Sequence, residues 1–335
     1  MRICILGAGA LGSAIGGYLA RSGVEVVLIG RAAHVEAIRH DGLRITGVRG
    51  DIRVRDRLNA VRSPSAAEGS FDFLILLVKG KDTAQALQDA LPLRDRVAVA
   101  LSLQNDYAKD EHLRDWIGAE RVVGAVTVEG ATLVAPGHVD NHLTTPVTAY
   151  FGEFNGQPTP RVNALTVAFC SAGLSALTTP HIEQVRWEKL TQIASASGWS
   201  ASTLAALPEL CFADGAVVEA GAEHFVALTK ELLSVYKALG YSPQNYFAPI
   251  SRLREIDALP FREAVQTVLK MGLALQERGQ RSRTSMHEDI LHRRKTESDE
   301  ILKPFLDKAV ELNLSVPTVA AAYRVLKVLD HYMKA

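Results

Sequence analysis

The stretch that most constrains this chain is Gly7-Ala8-Gly9-Ala10-Leu11-Gly12. It follows the apolar run Ile3-Cys4-Ile5-Leu6 and leads into Ala14-Ile15-Gly16-Gly17-Tyr18-Leu19-Ala20, an order that reads as strand, tight turn, helix. The three glycines have separate tasks. Gly7 permits the turn, Gly9 lets backbone approach a pyrophosphate, and Gly12 lets helix and strand pack closely. The N-terminus of the helix then offers unpaired N–H groups and the positive end of a dipole to an anion. A second strand pattern follows at 24–29, so the opening predicts the βαβ unit of a dinucleotide-binding domain rather than an isolated glycine-rich turn.

At 335 residues the chain is long enough for about two domains. A formal net charge of zero gives no field of one sign to favour nucleic acid or an anionic membrane. The three cysteines, Cys4, Cys170 and Cys211, show no CxxC spacing and suit buried apolar roles in a reducing compartment. No run of 18 or more apolar residues occurs, so no membrane span is expected, and the N-terminal apolar run is too short for a signal peptide. A cytoplasmic enzyme is the expectation, with a homodimer as a plausible assembly.

The second strand ends at Gly30-Arg31. An NAD-type site carries an Asp or Glu near this point to take the ribose 2′-hydroxyl. None is present, whereas the Arg31 guanidinium can fork onto a 2′-phosphate, so NADP(H) is the expected cofactor. The plainer alternative is a solvent-exposed Arg opening the next helix. His34 reads as a surface residue, with a contact to the adenosine end of a cofactor as the other possibility.

Further on, 42–47 and 51–55 alternate like a hairpin, and 71–78 is a mostly apolar run of the kind buried on both faces of a parallel sheet. That run ends in Lys79, and a later one at 97–103 ends in Gln104-Asn105. Ligands of open α/β sheets bind beyond the carboxyl ends of the strands, which puts Lys79 and Asn105 on the rim of a site. A solvated loop lysine and a turn or cap asparagine are the plainer readings. Strand-like runs continue to about 178, with a helix pattern at 161–172 between them. His138 and His142 have metal-ligand spacing only on a helix; the alternation around them, with Pro136 just before, argues for a strand, and no metal is expected. From 182 onward the chain reads as helical, with runs at 182–197, 215–239, 261–275, 297–312 and 318–332 and a kink or late start at Pro304. The expected architecture is an α/β Rossmann-type domain over residues 1–180 followed by an all-α domain over 181–335.

Lys189, Ile193 and Ser197 fall at i, i+4 and i+8 on one helix face; by itself a lysine there reads as a snorkelling side chain. Taken in order, GAGALG, Arg31, Val78-Lys79, Gln104-Asn105, Trp187-x-Lys189-Leu190, Ser285-Met286-x-x-Asp289-Ile290, Thr296-Glu297-x-Asp299 and Val316-Pro317 resemble the ketopantoate reductase family over essentially the whole chain. The resemblance implies a two-domain NADPH-dependent reductase of a 2-keto acid, 2-dehydropantoate above all, with its small-molecule substrate in a cleft between the domains. Gly7, Ala8, Gly9, Ala10, Leu11, Gly12 and Arg31 would hold the cofactor. Lys189 matches the general acid, which stabilises and protonates the oxygen as hydride attacks the 2-keto carbon. Glu297 matches the carboxylate that orients the lysine beside cofactor and substrate. Ser285 matches a substrate-binding serine, and Lys79 and Asn105 match residues near the cofactor and the substrate carbonyl. A different keto acid, an aldehyde or an imine is the alternative substrate, and a non-catalytic nucleotide sensor is the remaining reading.

The departures from the pattern concern the substrate. Ile193 and Ser197 stand where the family commonly has asparagines, Asp106 stands where Gly usually follows the rim asparagine, and Glu300-Ile301 replaces an Asn-Gly pair. The polar partner upstream of Ser285 is Ser282. An apolar Ile193 cannot hydrogen-bond a substrate hydroxyl, and a site without such bonds loses discrimination for it.

Overall fold

Continuous apolar runs become the inner strands of the first half of the chain because a strand covered on both faces needs apolar residues at every position. The computed structural model describes residues 1–205 and 207–333. The elements of the first half are β1 (Arg2–Leu6), α1 (Ala10–Arg21), β2 (Glu25–Ile29), α2 (Ala32–Asp41), β3 (Leu43–Gly47), β4 (Ile52–Val54), β5 (Leu58–Val61), β6 (Phe71–Leu76), α3 (Thr83–Asp89), β7 (Val97–Ser102), α4 (Lys109–Ile117), β8 (Gly124–Thr127), β9 (Gly130–Ala135), β10 (His138–Leu143), β11 (Ala149–Gly152), α5 (Pro160–Ser171) and β12 (Ala176–Thr178). Contacts divide the chain into two compact units: Met1–Gln104 with Ala108–Arg186, and Asn105–Tyr107 with the residues from Trp187 onward.

In the first unit the central sheet is parallel, in the order β5-β2-β1-β6-β7. The strand order reverses at β1, so the crevice beyond β1 and β6 is the switch point of a doubly wound sheet, as the opening motif predicts. Side chains alternate between two cores. Ile3, Ile5, Leu28, Ile75 and Leu101 face one layer with α1. Cys4, Leu6, Ile29, Leu74 and Leu76 face the other with Leu87 and Leu113 of α3 and α4. Two smaller sheets, β4-β3-β10-β9 and β12-β11-β8, complete the unit. The hairpin of β3 and β4 and the strand placement of His138 follow the sequence reading. β5 does not: its four residues, Leu-Asn-Ala-Val, are too few and too mixed to show a period.

Two side chains differ from expectation. Cys170 is exposed, its thiol directed to the Ala176 carbonyl at 3.4 Å. Cys4 is buried, and desolvation pushes its thiol up to about 12. His34 is buried, not a surface residue. The Gly137 amide donates to its Nδ1 at 2.9 Å, so Nε2 carries the hydrogen and donates to Ser13 Oγ at 2.8 Å. The ring is a bridge from α1 and α2 to the β9–β10 turn.

The second unit is helical: α6 (Ile182–Ile193, which enters it at Trp187), α7 (Trp199–Thr203), α8 (Phe212–Ala216), α9 (Glu219–Ala238), α10 (Leu253–Ala258), α11 (Phe261–Glu277), α12 (Ser285–Leu291), α13 (Ser298–Ile301), α14 (Lys303–Glu311) and α15 (Pro317–His331). The longest, α9, buries Phe225, Val226, Leu228, Leu232, Leu233, Val235 and Tyr236 in a core shared with Trp187, Phe305, Val319 and Leu326. The run predicted over 297–312 breaks at Leu302, and Pro304 sits in the first turn of α14, where its missing N–H costs nothing. The helix predicted unbroken over 182–197 widens into a π turn over Ala194–Gly198. The five residues there are Ala, Ser and Gly, whose small side chains leave the wider turn unobstructed. Ser195 Oγ also bonds back to the Thr191 carbonyl at 2.8 Å and Ser202 Oγ to the Gly198 carbonyl at 2.6 Å, contacts that bend helices.

Burial holds the His34 imidazole below its usual range. Between that lowered value and the unfolded value of about 6.5 the unfolded chain binds the extra proton, so His34 makes stability rise with pH and lowers it as pH falls through this window. Urea unfolding of the wild type and His34→Gln between pH 5 and 8 is expected to show a shallower pH slope in the variant. Equal slopes would refute the assignment.

Candidate functional site

The glycine turn is the first half of the site. Gly7 has φ +115°, and a Cβ on it would lie 2.5 Å from the Leu77 carbonyl carbon and the Val78 nitrogen. A Cβ on Gly12 would strike the Gly7 carbonyl oxygen, and one on Gly30 would come within 2.8 Å of Ala8 Cβ. At Gly9 an added Cβ meets nothing within 4 Å, so backbone there faces open space. The amides of Gly7 and Ala8 donate to Ile29 O and that of Gly9 to Gly7 O. Beyond them α1 starts at Ala10; Gly9 at its N-cap position provides no side-chain cap, and the first turn holds no acidic residue. Its leading N–H groups are therefore available to an anion. Arg31, exposed at the start of α2, follows directly on β2. This is the shape a dinucleotide needs: bare backbone under the pyrophosphate, a helix N-terminus beside it, and a cation at the end of the second strand.

On the rim of the same unit, Lys79 is exposed at the head of a short turn, Gly80–Asp82. The Gln104 amide ties strand ends together, donating to Val78 O and Thr83 Oγ1, both at 2.8 Å, and accepting from Ser102 Oγ at 2.8 Å. Lys109 was not legible as a site residue. Its ammonium is buried and donates to the carbonyls of Ser102, Gln104 and Ala125 at 2.9, 3.0 and 2.8 Å. A lysine opening a helix beside Asp110 and Glu111 reads as a solvated one, and only the three carbonyls make it internal. Next to it, buried Asp110 pairs with Arg186 Nε at 2.8 Å.

The second unit holds Asn105, Lys189, Ile193, Ser197, Ser285 and Glu297. The segment carrying Asn105 is tied in by Tyr107, whose ring lies 4.6 Å from that of Trp187, which in turn meets Phe305 at 5.4 Å. Lys189 is half-buried on α6, its ammonium 5.8 Å from the Phe247 ring centroid. Its neighbour Glu188 is buried and fixes the adjoining loop, accepting from the amides of Gln244 and Tyr246 at 2.7 and 2.9 Å and the Tyr236 hydroxyl at 3.1 Å. Burial nonetheless pushes its carboxyl up.

Ile193 packs partly against the helical core, and Ser197 lies buried inside the π turn, so the regular one-face spacing from Lys189 ends at Ile193. Ser285 is exposed at the start of α12, capped by Thr284, whose hydroxyl also pairs with Ser200 at 2.8 Å. Glu297 is buried at the residue preceding α13. Glu300 is pushed up to about 7, first by burial and then by the charges of Glu297 and Asp106. Two of the sequence's departures, Asp106 and Glu300, therefore feel each other's charge, which no linear spacing reveals.

A glycine turn at the switch point of a parallel sheet, joined in one chain to a helical unit carrying a lysine and a carboxylate, defines a dinucleotide-dependent oxidoreductase. Comparison with known proteins gives the family. The model described as "Ketopantoate reductase PanE/ApbA" matches residues 3–156, and its C-terminal counterpart matches 181–330. The chain belongs to the ketopantoate reductase family. A protein named "Uncharacterized oxidoreductase YkpB" from Bacillus subtilis is 26% identical over 98% of this chain and 99% of its own length. A PanE/ApbA family ketopantoate reductase from Ralstonia eutropha superposes with a TM-score of 0.79 at 26% identity, covering 99% of each chain. A D-mandelate dehydrogenase solved with NADH and anilino(oxo)acetate superposes with a TM-score of 0.76 at 20% identity, again covering 99% of each, a likeness of fold. Among the described residues no helix is long and apolar enough to cross a membrane.

Lys109→Met removes the donor to three carbonyls while keeping the stem. Leaving them unsatisfied is expected to cost about 3 kcal/mol in urea unfolding; a loss below about 1 kcal/mol would show that water replaces the ammonium.

Proposed function

We propose that the protein reduces a 2-keto acid with NADPH, 2-dehydropantoate being the first candidate, with Lys189 as general acid. The observation that carries this reading is the retention of Lys189 on α6 and Glu297 before α13 in a family whose members are keto acid reductases. When bound, the nicotinamide supplies the hydride. Lys189 stabilises the negative charge that builds on the carbonyl oxygen and gives that oxygen its proton. Its half-buried position near the Phe247 face reduces the water that would screen its action on a developing oxyanion. Glu297 holds the ammonium toward the substrate. Ser285 takes the substrate carboxylate, and Asn105 and Lys79 act at the carbonyl and the cofactor.

Arg31 supports NADPH over NADH, since its exposed guanidinium stands where an NAD site would carry a carboxylate. The NADH named for the D-mandelate dehydrogenase makes this a discriminating point.

A second reading keeps the chemistry and changes the acid. Ile193 and Ser197 present no amide for a substrate hydroxyl, which favours a 2-keto acid with an apolar side chain. A panel of 2-dehydropantoate, 2-oxoisovalerate and phenylglyoxylate decides between them: the first reading requires kcat/KM highest for 2-dehydropantoate.

Lys189→Ala is expected to lower kcat by about 10²- to 10⁴-fold, and a kcat within about threefold of wild type would remove the lysine from the chemistry. In a fluorescence titration the wild type is expected to bind NADPH more tightly than NADH, and Arg31→Ala to erase most of that difference. Equal affinities in the wild type would overturn the reading of Arg31.

A further inference from the structure

We propose that Asp330, one residue from the end of the last helix, is a positioning residue that fixes Glu297 for the reaction. The inference rests on the role given to Glu297 above. Asp330 is buried, and its carboxylate accepts from the Thr296 amide at 2.7 Å, the Thr296 hydroxyl at 2.9 Å and the Ser298 hydroxyl at 3.1 Å. The three donors lie on both sides of Glu297, and one of them is backbone. Bonds from neutral donors to a carboxylate are shorter and stronger than neutral pairs, so this grip sets the direction in which the chain carries Glu297.

The same face of α15 holds the next residues. Tyr323 and Lys327, at helical spacing from Asp330, bond the two oxygens of Asp299, each at 2.7 Å. Glu297 itself occupies the N-cap position of α13, with φ −94° and ψ 37°. The helix is itself anchored at its other end. Glu231 of α9 accepts from the amides of Thr318 and Val319 at 3.0 and 2.9 Å and from the Thr318 hydroxyl at 2.6 Å. A carboxylate capping a helix N-terminus is favourable in both hydrogen bonding and dipole. Val319, Ala322 and Leu326 are buried in the helical core. α15 is thus a bar pinned at its start by Glu231 and gripping the 296–299 segment at its end. Nothing in the sequence marks Asp330, which reads as a solvated residue in a helix of mixed charge.

The test compares Asp330→Ala, Asp330→Asn, Glu297→Gln and the double variant Asp330→Ala with Glu297→Gln in the full chain. Four quantities are read: kcat and KM with the best acid of the panel, NADPH affinity by fluorescence, and amide exchange at Thr296. Asp330→Ala is expected to lower kcat about 10- to 100-fold, the scale of a misplaced catalytic group, with NADPH affinity within about twofold of wild type. Asp330→Asn keeps an acceptor for the Thr296 amide and is expected to recover part of the loss, and it remains informative if the alanine variant does not fold. The double variant is expected to be no slower than Glu297→Gln alone. Thr296 exchange, which needs no substrate, is expected to quicken in Asp330→Ala.

Lowered kcat in Glu297→Gln with kcat unchanged in Asp330→Ala would overturn the positioning role and leave that of Glu297 standing. Unchanged kcat in Glu297→Gln would overturn the role of Glu297 and with it any positioning through it. Multiplying losses in the double variant, or unchanged Thr296 exchange, would likewise overturn the proposal.

Discussion

The first unit depends on a place where no side chain fits. Gly7 turns the chain at φ +115° hard against the peptide joining Leu77 and Val78. A residue with a Cβ would meet both the conformational cost of positive φ, about 1–3 kcal/mol, and a collision with backbone that cannot give way. Because Gly7 passes, β1 and β6 lie side by side with their ends level, and α1 begins at once. Gly12 and Gly30 then close the helix and β2 onto the same turn. The gap left at Gly9 is the product of this packing: Gly7, Gly12 and Gly30 are filled by neighbouring protein and Gly9 faces open space.

How much of this could be read from the chain depends on whether a residue's role is set by its sequence neighbours. β1, β6 and β7 were legible because strands covered on both faces are apolar throughout. The long helices were legible by their period, and Pro304 marked the break before α14. The glycine turn and Arg31 could be named because strand, turn and helix follow one another within about thirty residues, whereas Lys189 and Glu297 are singled out only by the resemblance to the ketopantoate reductase family, a lysine on a helix face reading by itself as a snorkelling side chain. His34, Lys109 and Asp330 could not be named. Each is a polar residue in a polar-looking stretch, made internal by partners 5 to 103 residues away. The π turn escaped for a different reason: its alanines, serines and glycine satisfy a helical pattern, and only the hydrogen-bond register distinguishes the two.

The same reasoning separates what is retained in the second unit from what is altered. The anchoring parts are carboxylates with every oxygen engaged: Glu188 on the 244–246 amides, Glu231 on the start of α15, Asp330 around Glu297. These fix the backbone of the 244–246 loop, the start of α15 and the 296–298 segment. The positions that depart from the family pattern are different residues. Ile193 exchanges a hydrogen-bonding amide for an apolar surface, while Asp106 and Glu300 add carboxyl groups that feel each other's charge.

That exchange changes the electrostatics and not only the shape. A neutral residue beside Glu297 would leave the local charge indifferent to pH. With Glu300 brought to about 7 by burial and by its acidic neighbours, the charge around Glu297 varies across the neutral range. For an acid the raised value means that the folded state holds the proton more tightly than the unfolded chain. Its contribution to stability is therefore present at low pH and is lost as pH rises toward 7. This slope runs opposite to that of His34, whose lowered value makes stability rise with pH. Placing an ionisable carboxyl where Asn-Gly is usual costs desolvation and repulsion. The surrounding packing meets that cost, and the charge beside Glu297 is then set partly by the protonation of Glu300.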